Sequence, residues 1–376
     1  MRLKLGMVGG GQGAFIGAVH RIAARLDGHW DLVAAALSSD PARAAASAAE
    51  LGIDRSYENY LDMAVAEAGR ADGIDAVAIV TPNHLHAPVA EAFLRAGIHV
   101  ICDKPLTATM AQAEHLAKVV AESGKQFILT HNYTAYPLIR QARAMVASGA
   151  LGTIRLVNAE YLQDWLATPL EQTGSKQAEW RTDPARSGVG GAIGDIGTHA
   201  LNLAGFVTGL QVTQLSADLT SFVPGRRLDD DAQVRLRFAG GAKGLLWASQ
   251  VATGNENGLR LRVYGDKGGI EWQQENPNVL RFTPLGQPTQ ILTRAGAGSW
   301  PQAARVSRTP AGHPEGYLEG FATIYAEAAA LIAHAKYGTP LDPAVTAPGL
   351  ADGMLGMRFQ VACVASSQAD AAWVNV

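Results

Sequence analysis

Two side chains suited to acid–base chemistry, Asp195 and His199, lie four residues apart in an apolar, glycine-rich stretch of the chain. At that spacing both side chains project from one face of a helix. A carboxylate beside an imidazole fixes the orientation and tautomer of the ring, so that the other ring nitrogen can take or give a proton. The spacing therefore indicates a proton-transfer pair, although the same pairing also occurs as a simple brace on a helix.

A third chemically active side chain, Lys104, comes shortly after the apolar run His99–Ile101. This run is predicted to be a parallel strand, and ligands of open α/β sheets bind beyond the carboxyl ends of the strands. A lysine at such an end can stabilise negative charge that develops on a reacting oxygen. Considered alone, Lys104 would be an ordinary surface lysine.

The glycine-rich segment Gly9–Gly17 lies between a predicted strand and a predicted helix. Small residues let the backbone approach a pyrophosphate closely, and the N-terminus of the helix favours its negative charge. The strand–helix–strand context distinguishes this loop from an isolated glycine motif. Gly9 and Gly11 match the first two glycines of the dinucleotide fingerprint, but the third, Gly17, comes late, so we expect an enlarged loop.

The predicted cofactor contacts come from loops that follow predicted strands. They are Gly9, Gly11, Gln12, Gly13, Ala14, Phe15, Ile16, Ser38, Ser39, Asp40, Arg43, Thr81, Pro82, Asn83, His86, Asp103 and Lys104. An acid at the end of the second strand reads the ribose and repels the 2′-phosphate of NADP, and Asp40 lies two residues beyond that position. Arg43 could instead accept a 2′-phosphate. The sequence therefore favours NAD and leaves NADP open.

The elements that must position these residues alternate in the first third of the chain. The predicted strands are Leu3–Val8, Leu32–Leu37, Ala76–Val80, His99–Ile101 and Phe127–Leu129, and the helices between them are Val19–Leu26, Pro41–Leu51, Tyr60–Ala68, Ala87–Ala96 and Met110–Ser123. Such alternation indicates an α/β fold, with a parallel sheet covered by helices on both faces.

The pattern changes after about Leu129, where strands follow one another without helices between them. A helix at Leu138–Ser148, a strand at Ile154–Tyr161, a long loop at Gln163–Arg186 and an apolar helix ending near Gly209 come first. The later strands are Thr213–Ser221, Ala232–Phe238, Gly244–Gln250, Arg260–Tyr264, Gly269–Trp272, Val279–Phe282 and Thr289–Leu292; a loop at Ala295–Gly316 and helices at Tyr317–Lys336 and Thr346–Ser366 follow. Successive strands indicate an antiparallel sheet. We predict two domains, 1–130 and 131–376.

Composition narrows the classes of function. The 376 residues are 48% apolar with a net charge of −3 and no basic stripe, which argues against nucleic acid as a partner. Cys102 and Cys363 are too few for a disulfide framework or a metal cluster, which fits a reducing compartment. No apolar run reaches the roughly 18 residues of a membrane span, and the N-terminus lacks the apolar core of a signal peptide. We expect a soluble cytoplasmic protein without a metal or a membrane partner.

Taken together, these segments resemble the glucose–fructose oxidoreductase / inositol dehydrogenase / rhizopine-catabolism (Gfo/Idh/MocA) family over nearly the whole chain. The matching segments are the glycine loop with His20, Thr81-Pro82-Asn83 with His86, Ala96-Gly97-Ile98-His99-Val100, Asp103-Lys104-Pro105, and Gly190-Gly191 with Asp195, Gly197 and His199. The resemblance implies a Rossmann domain followed by an α+β domain with an open, mostly antiparallel sheet. It also implies that subunits pair through the outer face of that sheet into homodimers or homotetramers.

The resemblance also implies a reaction and the roles of three residues. Lys104, Asp195 and His199 correspond to the catalytic residues of the family, whereas Asp103 replaces the usual Glu and Asn202 replaces a frequent Asp. The implied activity is NAD(P)-dependent oxidation of a ring hydroxyl of a sugar or cyclitol, as in inositol or aldose dehydrogenases. His199 would be the base, Asp195 would hold it, and Lys104 would stabilise the reacting oxygen.

The substrate-binding candidates offer the hydrogen-bonding groups and aromatic walls that a polyol requires. They are Lys104, Asn132, Tyr133, Tyr161, Gln163, Asp164, Trp165, Arg181, Asp195, His199 and His313. Because the second domain has no phosphate loop or basic cluster, a neutral ring is favoured over a sugar phosphate. Three other functions stay open: an NADPH-dependent reductase, a glycosidase that retains NAD, and a nicotinamide-bound sensor without turnover.

Overall fold

The computed structural model describes residues 2–376. The strands are β1 (Leu3–Gly9), β2 (Trp30–Ala36), β3 (Arg55–Ser56), β4 (Ala76–Val80), β5 (His99–Cys102), β6 (Phe127–Leu129), β7 (Ile154–Leu162), β8 (Val212–Thr220), β9 (Asp231–Phe238), β10 (Lys243–Ser249), β11 (Gly258–Gly265), β12 (Gly268–Gln273), β13 (Val279–Pro284), β14 (Gln290–Thr293) and β15 (Val374–Asn375). The helices are α1 (Phe15–Leu26), α2 (Pro41–Glu50), α3 (Tyr60–Ala68), α4 (His86–Arg95), α5 (Met110–Ser123), α6 (Pro137–Ala147), α7 (Lys176–Arg181), α8 (Pro184–Ser187), α9 (Thr198–Thr208), α10 (Pro301–Ala304), α11 (Tyr317–Tyr337) and α12 (Leu350–Gln368). Among the described residues, no helix has both the length and the hydropathy that a bilayer span requires.

The chain forms two compact units. The first contains the residues up to Asn132 together with Tyr317–Met354, and the second contains Tyr133–Gly316 and Leu355–Val376. The packing therefore places residues 317–354 in the first unit. The domain boundary that we predicted at residue 130 places the same segment in the second domain. Tyr325 of α11 shows why, since its carbonyl oxygen accepts a hydrogen bond of 2.9 Å from the Trp30 indole.

The first unit is built on a six-stranded sheet with the order β3-β2-β1-β4-β5-β6. Every pair of neighbouring strands is parallel, which confirms the predicted Rossmann fold. All five residues of β4 are buried, as is typical of a parallel strand covered on both faces. The strand order reverses between β1 and β4, and the crevice at such a switch point is where dinucleotides bind.

The second unit contains a nine-stranded sheet with the order β14-β13-β12-β11-β7-β10-β9-β8-β15. Its pairs are antiparallel except for β7 with β10, so the prediction of a mostly antiparallel sheet is confirmed. One face packs against α9, and Leu246 of β10 is buried there. On the other face Leu245 and Trp247 are exposed.

The segment predicted as one long loop, Gln163–Arg186, is partly helical, so that prediction is wrong in part. It contains a 3₁₀ turn at Leu170–Gln172 and the short helices α7 and α8. Asp183 caps α8 by accepting a hydrogen bond of 3.2 Å from the backbone N–H of Ala185. A helix of four to six residues is too short to show a hydrophobic period in the sequence.

Candidate active site

The glycine loop between β1 and α1 has the conformation that a pyrophosphate cradle needs. Gly9, Gly10 and Gly13 have φ values of 79°, 74° and 79°, which side chains rarely allow. A Cβ on Gly13 would project into open space, so the backbone there is accessible to a ligand. The late third glycine has a packing role, because a Cβ on Gly17 would lie 2.2 Å from the carbonyl oxygen of Gly10. These features fit a dinucleotide.

The end of β2 is organised around the N-terminus of α2. Asp40 caps this helix by accepting a hydrogen bond of 2.9 Å from the backbone N–H of Arg43, and its own N–H donates to Ser38 Oγ at 3.1 Å. The side chain of Gln12 donates to Glu50 of α2 at 2.8 Å. Asp40 therefore also has a structural role as a helix cap, in keeping with its place directly before the predicted helix Pro41–Leu51.

His86 joins the loops that follow β4 and β5. Its Nδ1 lies 2.7 Å from the carbonyl oxygen of Pro105, and its Nε2 lies 2.9 Å from that of Thr81. Burial lowers the pKa of this imidazole. Because both ring nitrogens contact the protein backbone, the geometry supports a bracing role for His86 between the two loops rather than a direct contact with cofactor.

Lys104 lies in a polar environment built from the ends of β5 and β6. The Asp103 carboxylate accepts hydrogen bonds of 2.9 Å from the backbone N–H of Lys104 and from Thr130 Oγ1. His131 is buried nearby, and burial together with the positive charge of Lys104 lowers its pKa to about 3. His131 was not among the predicted site residues, although its place directly after β6 could have indicated it.

In the second unit, His199 packs against two tyrosines that also contact each other. The ring centroid of Tyr133 lies 4.8 Å from that of His199, and the ring of Tyr161 lies 6.1 Å away. The two phenol oxygens are 2.6 Å apart. Burial raises the pKa of Tyr133, so its hydroxyl stays neutral at physiological pH. The structure thus brings together three residues that the sequence had proposed separately.

Asn257 connects these tyrosines to the predicted substrate residue Gln163. Its Oδ1 accepts hydrogen bonds from Tyr161 Oη at 2.7 Å and from Gln163 Nε2 at 2.9 Å. Its Nδ2 donates to Gln274 Oε1 at 3.1 Å. Asn257 was not predicted, because the turn Thr253–Gly258 shows only the composition of a connection between strands.

Asp195 lies on a π-helical turn, Ile193–Gly197, which precedes α9 and carries His199 on the same continuous helical segment. Such turns occur frequently at functional sites. One carboxylate oxygen of Asp195 accepts a hydrogen bond of 2.9 Å from Gln250 Nε2 and lies 3.4 Å from Arg181 Nε. The Arg181 guanidinium lies over the ring of Trp180, at 4.2 Å from its centroid, and 5.8 Å from that of Trp165.

The start of this helical segment is held by the buried residue Asp229. Its two carboxylate oxygens accept hydrogen bonds of 2.7 Å from the backbone N–H groups of Gly191 and Ile193. A Cβ on Gly191 would lie 1.9 Å from the carbonyl oxygen of Asp229, so only glycine fits there. Burial raises the pKa of Asp229 to about 6, although the two N–H donors act in the opposite direction.

Other predicted substrate residues have contacts elsewhere in their own unit. Asp164 accepts a hydrogen bond of 2.9 Å from the backbone N–H of Gly254, which ties two loops together. His313 is exposed, and its carbonyl oxygen accepts a hydrogen bond from the buried Arg294. Asn132 is buried and belongs to the first unit. The two hydrogen bonds of Asp164 and His313 involve none of the residues that surround His199.

Comparison with known proteins agrees with this combination of fold and residues. Residues 3–131 match the model of an oxidoreductase family with an NAD-binding Rossmann fold, and residues 139–271 match the GFO/IDH/MocA C-terminal domain. A two-domain enzyme of this kind is an NAD(P)-dependent oxidoreductase. The chain belongs to the Gfo/Idh/MocA family.

Three relatives match over the whole chain. A crystal structure of an oxidoreductase from Sinorhizobium meliloti is 56% identical, with a TM-score of 0.91, covering 100% of this chain and 99% of that one. An inositol dehydrogenase homologue from Azotobacter vinelandii, solved with NADH and myo-inositol, is 36% identical with a TM-score of 0.93, covering 100% and 98%. Levoglucosan dehydrogenase from Pseudarthrobacter phenanthrenivorans is 28% identical, covering 100% of this chain and 98% of that protein.

Proposed function

We propose that this enzyme oxidises a secondary ring hydroxyl of a neutral sugar or cyclitol with NAD. The observation that carries the proposal is the set of hydroxyl and amide groups around His199, formed by Tyr133, Tyr161, Gln163 and Asn257. Uncharged donors and acceptors beside aromatic rings suit a polyol. The Azotobacter vinelandii homologue, which binds myo-inositol together with NADH, supports the same class of substrate.

In this mechanism, which follows the roles that the family resemblance implies, Asp195 and His199 act on the hydroxyl group. His199 takes the hydroxyl proton, and Asp195 holds the imidazole and stabilises its protonated form. The role that the resemblance implies for Lys104 is to stabilise the negative charge that develops on the reacting oxygen. When bound, NAD supplies the hydride acceptor. Proton transfer by a positioned side chain typically contributes about 10²–10⁴-fold to the rate.

The residues that would hold NAD lie in loops of the first unit. The glycine loop would receive the pyrophosphate, and Ser38, Ser39, Asp40 and Arg43 would surround the adenosine ribose. Thr81-Pro82-Asn83 and Asp103-Lys104 would lie toward the nicotinamide. Preference between NAD and NADP depends on Asp40 and Arg43, which adjoin each other at the N-terminus of α2.

The direct test is absorbance of reduced nicotinamide when the purified enzyme meets a panel of inositols, aldoses, anhydrosugars and glycosides, once with NAD and once with NADP. We expect NADH to appear with a neutral polyol and in step with its loss. A flat trace with all polyols, while NAD binding is intact, would contradict the proposal. Release of an aglycone without net NADH would instead identify the glycosidase.

We also propose that the enzyme is a cytoplasmic homo-oligomer. Cys102 and Cys363 are free, buried thiols, as expected in a reducing compartment. Leu156, Leu245, Trp247 and Tyr264 are large apolar residues exposed on strands of the second sheet. Apolar surface of this kind favours association with another subunit.

A further inference from the structure

Gln250 is a buried glutamine that follows β10 and contacts Asp195. Its backbone is fixed on both sides, since its N–H donates to the carbonyl oxygen of Asp230 at 2.8 Å and its carbonyl oxygen accepts from Leu166 at 3.1 Å. The residue is only 2% exposed, and its side chain donates a hydrogen bond of 2.9 Å to Asp195 Oδ2. A rigid donor thus reaches the carboxylate from the sheet.

The parallel pairing of β7 with β10 explains this position. Leu162 and Ser249 are the last paired residues, so Gln163 and Gln250 leave the sheet at the same edge. The backbone N–H of Gln163 donates to the carbonyl oxygen of Ser249 at 2.8 Å. One edge of the sheet therefore carries both a candidate substrate residue and the residue that contacts Asp195.

A second donor, Arg181, approaches the same oxygen of Asp195 at 3.4 Å from α7. Its side chain is 26% exposed, so its charge is partly screened by water. Tyr133 also interacts electrostatically with Asp195, and His199 lies one helical turn along the chain. Among these neighbours Gln250 is the neutral donor that does not titrate.

We propose that Gln250 is a positioning residue for the Asp195–His199 pair. Its amide holds the Asp195 carboxylate in one orientation by occupying one oxygen, so that the carboxylate acts on His199 through the other. This inference rests on the proposed function, in which Asp195 orients the base. A neutral amide performs this role without repelling the carboxylate at any working pH.

The variant Q250E tests the proposal because it keeps the shape of the side chain and makes the donor titratable. While protonated, the introduced carboxyl donates to Asp195 as the amide does; once ionised, it repels that carboxylate. Two carboxyls that share a site have one strongly raised pKa. We expect the ratio of variant to wild-type kcat to approach one at acid pH and to fall by roughly tenfold or more as pH rises through that pKa, with KM changed far less.

Two further variants separate positioning from stability. Q250M removes the donor at similar volume, and we expect its kcat to be about tenfold lower at every pH. Q141E is the control, because it makes the same substitution at another buried glutamine of the second unit. The side chain of Gln141 donates a hydrogen bond to the carbonyl oxygen of Gly298 and accepts one from the backbone N–H of Trp300. Its kcat ratio should not vary with pH. A flat ratio for Q250E, or the same pH dependence in Q141E, would overturn the proposal.

A measurement independent of turnover uses the carboxyl ¹³C signals of aspartate, with D195N to assign the Asp195 resonance. We expect this signal to titrate in Q250E over the pH range in which the kcat ratio falls, and to shift in Q250M. An Asp195 signal that is identical in wild type, Q250E and Q250M would refute the role of Gln250. If the wild type oxidises no polyol, the proposed function fails while this titration still decides whether Gln250 controls Asp195.

Discussion

At the scale of single residues, the second unit surrounds His199 with groups that leave it few orientations. The ring is 7% exposed and packs against Tyr133 and Tyr161. A base held in this way needs little reorganisation before it accepts a proton. Chemistry at this position should therefore depend on the imidazole itself rather than on the bulk of the side chain.

The first prediction concerns that imidazole. H199Q should lower kcat by about 10²–10⁴-fold with an oxidisable polyol, because the variant cannot accept the hydroxyl proton. Binding of NADH, measured by fluorescence titration, should be unchanged. H29Q alters an exposed histidine and should retain wild-type kcat. Retention of more than a tenth of the wild-type kcat in H199Q would remove His199 from the role of base.

A second prediction at this scale concerns buried histidines and acid stability. His20 is fully buried, its Nδ1 lies 2.8 Å from the Tyr325 hydroxyl, and burial lowers its pKa from 6.5 to about 4. The unfolded chain therefore binds more protons than the folded one between these two pH values. The contribution of the neutral His20 ring to the free energy of unfolding is therefore greatest above pH 6.5 and is lost as the pH falls toward 4.

The loss should amount to about 1.5 kcal/mol in the free energy of unfolding between pH 6.5 and 5, since the limiting slope of about 1.4 kcal/mol per pH unit is reached only below the unfolded pKa. His131, with its pKa lowered to about 3, adds to it in the same direction. Urea titrations of wild type and H20Q across this range would measure the effect, since glutamine does not titrate. Equal pH slopes for the two proteins would show that His20 does not contribute.

At the scale of elements, the helical segment that carries Asp195 and His199 depends on a residue far along the chain. Asp229 accepts hydrogen bonds from the backbone N–H groups of Gly191 and Ile193. N–H groups at the start of a helix have no acceptor within the helix itself. The cap thus comes from the loop before β9 rather than from the residues next to the helix. The orientation of the two reactive side chains is coupled to that loop.

We therefore predict that D229A destabilises the second unit by about 1–3 kcal/mol, because two buried N–H donors lose their acceptor. D229N keeps one acceptor oxygen and should lose less. It also removes the titration of Asp229: because burial raises this pKa from 3.8 to about 6, the wild type loses stability as pH rises between those values, and D229N should not show that loss. Urea unfolding at pH 7.5 and 5 measures both effects. Equal stability of D229A and wild type at both pH values would contradict the prediction.

At the scale of the whole molecule, the outer face of the second sheet exposes large apolar side chains that no other part of the described chain covers. Leu245 is 56% exposed and Leu285 is 76% exposed, but Leu245 lies within β10 whereas Leu285 lies in the turn after β13. Leu245 belongs to a group of exposed apolar side chains on that face, with Leu156, Trp247 and Tyr264, and such a group favours pairing with a second subunit, whereas a single apolar residue in a turn does not.

We predict that L245E dissociates the proposed homo-oligomer and that L285E leaves it intact. A charge in the centre of a subunit interface loses its hydration and finds no partner, whereas a charge on an exposed turn stays hydrated. Light scattering coupled to size exclusion gives the mass of each form. The prediction is wrong if the wild type is a monomer of 39.5 kDa, or if L245E assembles like the wild type.

The sequence by itself determined the Rossmann unit and the reactive residue types. Each predicted strand of its parallel sheet has a counterpart, because a buried parallel strand and the helix after it are encoded over short, contiguous stretches. The two-residue strand β3 was missed because it is too short to show a pattern. The spacing of Asp195 and His199 is also local, so one helical segment carries both.

The tertiary structure alone decided which distant residues support those groups. Gln250 and Asn257 reach the candidate site because β7 pairs in parallel with β10 and antiparallel with β11, and pairing of strands so far apart leaves no trace in either sequence segment. The return of Tyr317–Met354 to the first unit and the lowered pKa of His20 have the same origin. Each depends on contacts between residues distant in the chain, whereas residue type and local period report only on neighbours along it.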